Sequence, residues 1–133
     1  MKKQIKKERF LPTITTIGKS VWREKLKEIQ ELGLKKAALF LTCLEKEERK
    51  ELYDLLSQAG LQEIPFVHLR SDMEPQELDY LVNNYQTKVF NTHPSGEYPL
   101  FYDLANHKKN IYIENTYSLN EKDLAEFVEF QKT

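Results

Sequence analysis

The stretches Gly33-Leu-Lys-Lys-Ala-Ala-Leu-Phe-Leu-Thr42 and Gly60-Leu-Gln-Glu-Ile-Pro-Phe-Val-His-Leu-Arg70 decide the fold. Each opens on Gly-Leu and runs into a short apolar segment of strand length. Each also follows a longer segment whose apolar residues recur at three and four. A glycine just past a helix end supplies the backbone conformation that stops it, so both stretches read as helix, Gly-Leu, strand. Working outward, strands are expected at Leu11 to Ile17, Lys36 to Thr42, Ile64 to Leu69, Thr87 to Thr92 and Asn110 to Glu114. Helices are expected at Ser20 to Leu32, with Val21, Leu26, Ile29 and Leu32 on one side, and at Glu45 to Ala59, Pro75 to Asn84 and Glu121 to Phe130.

Helix starts carry their own signal. Thr42-x-x-Glu45, Ser71-x-x-Glu74 and Ser118-x-x-Glu121 each match a capping box placed after a strand. The segment Pro94 to Lys109, with Tyr98, Leu100, Phe101, Tyr102 and Leu104, reads as an irregular stretch and a short helix packed on the sheet. Strands return at intervals of roughly 25 residues, the length of a βα unit in parallel sheets. The fold class is therefore α/β, a parallel β-sheet built from βα repeats. Right-handed crossovers permit an open doubly wound sheet or part of a (β/α)8 barrel. No Gly-x-Gly-x-x-Gly follows the first strand, and Gly18-Lys-Ser20 lacks the upstream glycine of a phosphate-binding loop. Nucleotide chemistry of the Rossmann kind is disfavoured.

With 133 residues, 40% of them hydrophobic and 31% charged, the chain suits a single domain over residues 1–133 and can bury enough apolar surface to exclude disorder. Twenty basic against 21 acidic residues give a net charge of −1, which argues against nucleic acid as a partner. The basic cluster Met1 to Arg9 lacks the apolar core of a secretory signal and reads as a solvated arm. No apolar run has the length to cross a bilayer, so no membrane partner is expected. The one cysteine, Cys43, cannot form an internal disulfide and fits the reducing cytoplasm; no histidine stands beside it to make it a nucleophile.

In parallel α/β folds chemistry sits at the carboxyl ends of strands. Here those ends read Thr42, His68 in Phe66-Val-His-Leu-Arg70, His93 in Phe90-Asn-Thr-His-Pro94, and Glu114 in Ile111-Tyr-Ile-Glu-Asn115. Neighbouring strands lie about 4.8 Å apart, so side chains at one level can converge. Two imidazoles and a carboxylate form a ligand set that binds a divalent metal, zinc or manganese, while leaving a position open for water or substrate. His107, beside Lys108 and Lys109, reads as an ordinary polar loop residue.

The order His, His-Pro, Ile-Glu-Asn-Thr on consecutive strands resembles the xylose-isomerase-like barrel superfamily, which includes endonuclease IV and many sugar-phosphate isomerases and epimerases. The most specific pieces are Asn91-Thr-His-Pro-Ser-Gly96, Ile113-Glu-Asn-Thr116 and Asn120-Glu-Lys-Asp-Leu-Ala-Glu126. The resemblance implies a partial (β/α)8 barrel with His68, His93 and Glu114 as metal ligands, and a small phosphorylated or polyhydroxylated substrate. Phosphodiester hydrolysis at damaged DNA is an alternative, as is a catalytically inactive binding or assembly module. Family members have eight βα units and take further ligands from the sixth strand onward, which this chain does not carry. Self-association, or a longer parent chain supplying the remaining strands, is the expected remedy. The open sheet would otherwise expose its edges and inward residues such as Phe66, Val89 and Tyr112.

Overall fold

The computed structural model describes residues 9–16, 21–93, 104–114 and 120–132. Five strands alternate with helices: β1 (Thr13–Thr15), α1 (Val21–Leu32), β2 (Ala38–Phe40), α2 (Lys46–Gln58), β3 (Phe66–His68), α3 (Pro75–Tyr85), β4 (Val89–Thr92), a 3-10 helix (Ala105–Asn110), β5 (Ile111–Ile113) and α4 (Glu121–Lys132). All neighbouring strands are parallel, and their order in the sheet is β1-β2-β3-β4-β5. This sequential order lacks the reversal that defines a doubly wound sheet. No helix among the described residues is long and apolar enough to cross a membrane.

The register sorts the strand residues by face. Ile14, Leu39, Val67, Phe90 and Ile111 lie opposite one another across the sheet. All five are buried in one core with Trp22, Leu26 and Ile29 of α1, Leu52 and Leu56 of α2, Leu78 and Leu81 of α3, and Phe130 of α4. Because side chains alternate along a strand, the next row, Thr15, Phe40, His68, Asn91 and Tyr112, stands on the opposite face. That face is less covered: Phe40, Phe66 and Val89 are half-buried and Tyr112 is exposed.

Adjacent helices are tied by ion pairs whose partners stand 28 residues apart, the length of one βα unit. Arg23 of α1 meets Glu51 of α2 at 2.6 Å and 3.0 Å, and Lys46 of α2 meets Glu74 at 2.8 Å. Arg49 of α2 is fully buried. Its Nε and Nη2 donate to the Glu77 carboxylate of α3 at 2.7 Å and 3.0 Å, and its Nη1 donates to the Leu44 carbonyl at 3.0 Å and to Asp72 at 3.1 Å. The Tyr53 hydroxyl also donates to Glu77, at 2.8 Å.

Three local expectations are corrected. On α1 the buried residue near the start is Trp22, whereas Val21 and Leu32 are 51% and 58% exposed. The indole turns the apolar stripe by one position because its larger surface gains more from burial. The helices begin within one residue of the expected Glu45 and Pro75, but their N-caps lie three residues beyond Thr42 and Ser71: Glu45 and Glu74 are themselves the N-cap residues of α2 and α3. At α3 the Glu77 carboxylate accepts the Glu74 main-chain N–H at 2.9 Å. Asn120 caps α4, its Oδ1 accepting the Asp123 N–H at 3.0 Å, while Ser118 lies outside the described residues. Hydrogen-bonded strands are shorter than their apolar runs, as with Ala38–Phe40 inside Lys36 to Thr42. Gly33 and Gly60, by contrast, do adopt positive φ, at 63° and 79°, where the helices end. Of the segment 94–109, residues 94–103 fall outside the described part, whereas Leu104 is buried ahead of the 3-10 helix.

Candidate metal centre

His68 closes β3, His93 follows β4, and Glu114 follows β5. All three project from the less covered face, but not from one level. His68 stands opposite Asn91, so continuing the register two residues places Arg70 opposite His93 and Glu114 beside it. Main-chain bonds from Leu69 N to Asn91 O (2.8 Å) and from Glu114 N to Thr92 O (2.7 Å) carry the ladder that far. The side chains close the two-residue step. His68 Nε2 lies 3.0 Å from His93 Nε2 and 3.6 Å from Glu114 Oε1, and His93 Nε2 lies 3.3 Å from Glu114 Oε2.

Those separations have a chemical meaning. Ligand atoms bound tetrahedrally at about 2.1 Å from one ion sit about 3.4 Å from each other. The two histidines face different oxygens of Glu114, and one ligand atom from each residue lies within 4.8 Å of the others, so the group could hold an ion; among the described residues it is the one group of three such donors this close together. His68 is the buried wall of the site, and His93 and Glu114, 37% and 31% exposed, form its open side.

Electrostatics suits the same role. Burial pushes the His68 imidazole below its ordinary pKa; the Glu114 carboxylate pulls it upward without overcoming that, and the His93 ring adds to the lowering. A neutral imidazole is the form that ligates a metal. His68 Nδ1 is buried without a well-formed hydrogen bond, although the main chain of Leu69 and Asn91 lies close enough to favour the protonated ring. Asn91 Oδ1 is also buried and unbonded.

Other residues take different parts. Arg70 is held in the loops, donating to the Thr42 carbonyl at 3.3 Å and pairing with Glu45 at 3.1 Å and Asp72 at 2.8 Å. Cys43 is a free thiol whose main-chain N–H donates to Thr16 Oγ1 at 3.1 Å. His107 is not a solvated loop residue: it is buried, 2.6 Å from Asp79 of α3 and edge-on to Phe90. Asn91 and Tyr112, two residues before His93 and Glu114, share the site's face. Two-residue periodicity back from the strand ends is the signal that would have singled them out. No protein-family profile, curated protein or solved structure matches this chain.

Proposed function

We propose that His68, His93 and Glu114 hold one divalent metal ion, zinc or manganese. On this reading the chain is the first five βα units of a barrel of the xylose-isomerase-like kind, acting as an isomerase or epimerase on a small phosphorylated or polyhydroxylated compound. The observation that carries the reading is the convergence of one ligand atom each from His68, His93 and Glu114 to within 4.8 Å of one another, the two imidazole Nε2 atoms 3.0 Å apart. The sequential parallel sheet supports it, since barrels add strands in chain order. When bound, the ion polarises a substrate carbonyl and acidifies the neighbouring C–H. The chain's own part is to keep His68 neutral and to offset ion charge with Glu114.

A second reading, a metal-binding module without turnover, is favoured by one observation. Among the described residues no fourth imidazole or carboxylate joins the cluster to serve as a base. The same observation disfavours phosphodiester hydrolysis through two ions. Metal analysis of protein purified without chelators is the first test, and one ion per chain is expected. Turnover assays on phosphorylated aldoses and ketoses, and on abasic DNA, then separate the activities. Protein that stays metal-free in excess zinc and manganese would overturn the metal reading altogether.

A further inference from the structure

We propose that Arg70 is the positioning residue of the metal centre, holding the end of β3 so that His68 meets His93 and Glu114; the inference rests on the metal reading above. The β2–β3 register ends at Phe40 opposite His68. Two residues further along each chain, a side chain spans the same gap: Arg70 Nη1 donates to the Thr42 carbonyl at 3.3 Å. On the other side of β3 the main chain continues the contact, the Leu69 N–H donating to Asn91 O at 2.8 Å. The strand end that carries His68 is thus tied to β4 by backbone and to β2 by a guanidinium.

The other Arg70 donors fix that guanidinium in place. Nη2 donates to Glu45, the N-cap residue of α2, at 3.1 Å, and Nε pairs with Asp72 at 2.8 Å. Asp72 is gripped in turn by the buried Arg49, whose Nη1 lies 3.1 Å from both carboxylate oxygens and donates to the Leu44 carbonyl at 3.0 Å. Two guanidinium groups therefore join the loops after β2 and β3 through one shared carboxylate. A rigid planar fork can reach three acceptors in fixed directions, whereas a lysine offers a single point of charge. The main chain at residue 70 is held as well, its carbonyl accepting the Met73 N–H at 3.1 Å.

What this clamp fixes is the His68 ring. The ring meets Phe40 of β2 edge to face, with centroids 5.4 Å apart, and lies 4.9 Å from the His93 ring. A shift of the β3 end against β2 would break the Phe40 contact and the 3.0 Å approach of the two Nε2 atoms. Charge and position predict opposite effects on metal affinity when Arg70 is removed. By charge alone Arg70→Met tightens binding, because a nearby cation is lost and Glu45 and Asp72 are released to attract the ion. By position it weakens binding, as loss of a group that orients ligands does, by about tenfold or more.

Zinc and cobalt(II) titrations of the whole chain test this, the visible cobalt spectrum reporting ligand geometry. Arg70→Met should bind zinc about tenfold or more weakly and shift the cobalt band, and Arg70→Lys, which keeps the charge without the fork, should restore neither. Arg23→Met breaks the comparable Arg23–Glu51 pair between α1 and α2 and should change neither. Glu45→Gln, at an exposed side chain that makes no cap hydrogen bond, removes one arm of the clamp gently and should weaken zinc in the same direction by less. Unchanged or tighter binding by Arg70→Met overturns the proposal. A wild-type chain that takes up no metal overturns the metal reading instead, and the nuclear Overhauser contact between the Phe40 and His68 rings in the metal-free protein then decides the role of Arg70: its loss in Arg70→Met supports the clamp, and its persistence overturns it.

Discussion

His68 is the residue on which the site's electrostatics turn. Its ring is buried and its pKa lies below the ordinary value, so the folded, metal-free protein binds fewer protons than the unfolded chain as pH drops below about 6.5. His68 therefore contributes full stability above that pH and progressively less as pH falls toward its folded pKa. Urea midpoints measured across this range should decline on acidification and decline less in His68→Gln; parallel slopes in the two proteins would contradict the assignment. Glu114 carries the complementary prediction. Glu114→Gln removes the carboxylate from the ligand cluster, whereas Glu126→Gln alters an exposed position on α4. Zinc titration should show a large loss of affinity in the first and none in the second. Equal affinities would leave Glu114 an ordinary strand-end acid.

Between elements, the α2–α3 contact depends on one buried cation. Arg49 is fully buried against Glu77, which is 13% exposed, and its pKa lies above the ordinary guanidinium value because Glu77 and Asp72 outweigh the effect of burial. Burial would raise the Glu77 carboxyl, but Arg49, the Glu74 N–H and the Tyr53 hydroxyl together hold it below the usual range. Arg49→Ala leaves that carboxylate uncompensated, and chemical denaturation should show a loss of about 3 kcal/mol. The sign with pH also follows. Glu77 adds stability above its unfolded pKa, and that contribution vanishes as pH falls through its lower folded value. The gap between wild type and Arg49→Ala should accordingly narrow in acid. A constant gap would assign the loss to packing of the side-chain stem.

Across the whole molecule, the three candidate ligands belong to three strands, so an ion would clip β3, β4 and β5 together. Zinc at a hundredfold excess over its dissociation constant should then raise unfolding free energy by about 2.7 kcal/mol, and chelation should remove the gain. Thermal melts of wild type and Glu114→Gln, each with and without zinc, check this; a gain that survives in Glu114→Gln would place the ion elsewhere.

Strand and helix order was legible in the sequence because local chemistry sets it: Gly33 and Gly60 end helices wherever they stand, and the apolar period changes from helix to strand within a few residues. The strand-end His, His and Glu were legible for the same reason, since parallel βα units send their strand ends to one side. Tertiary structure alone decided the two-residue offset of His68 from His93, because register depends on which main-chain bonds form between segments far apart in the chain. It also decided that Trp22 displaces Val21 from the core, that Arg49 is buried, and that His107 pairs with Asp79. A charged or polar side chain enters the interior only when a partner meets it there. Here those partners, Glu77 for Arg49 and Asp79 for His107, each stand 28 residues away, beyond the reach of any local pattern.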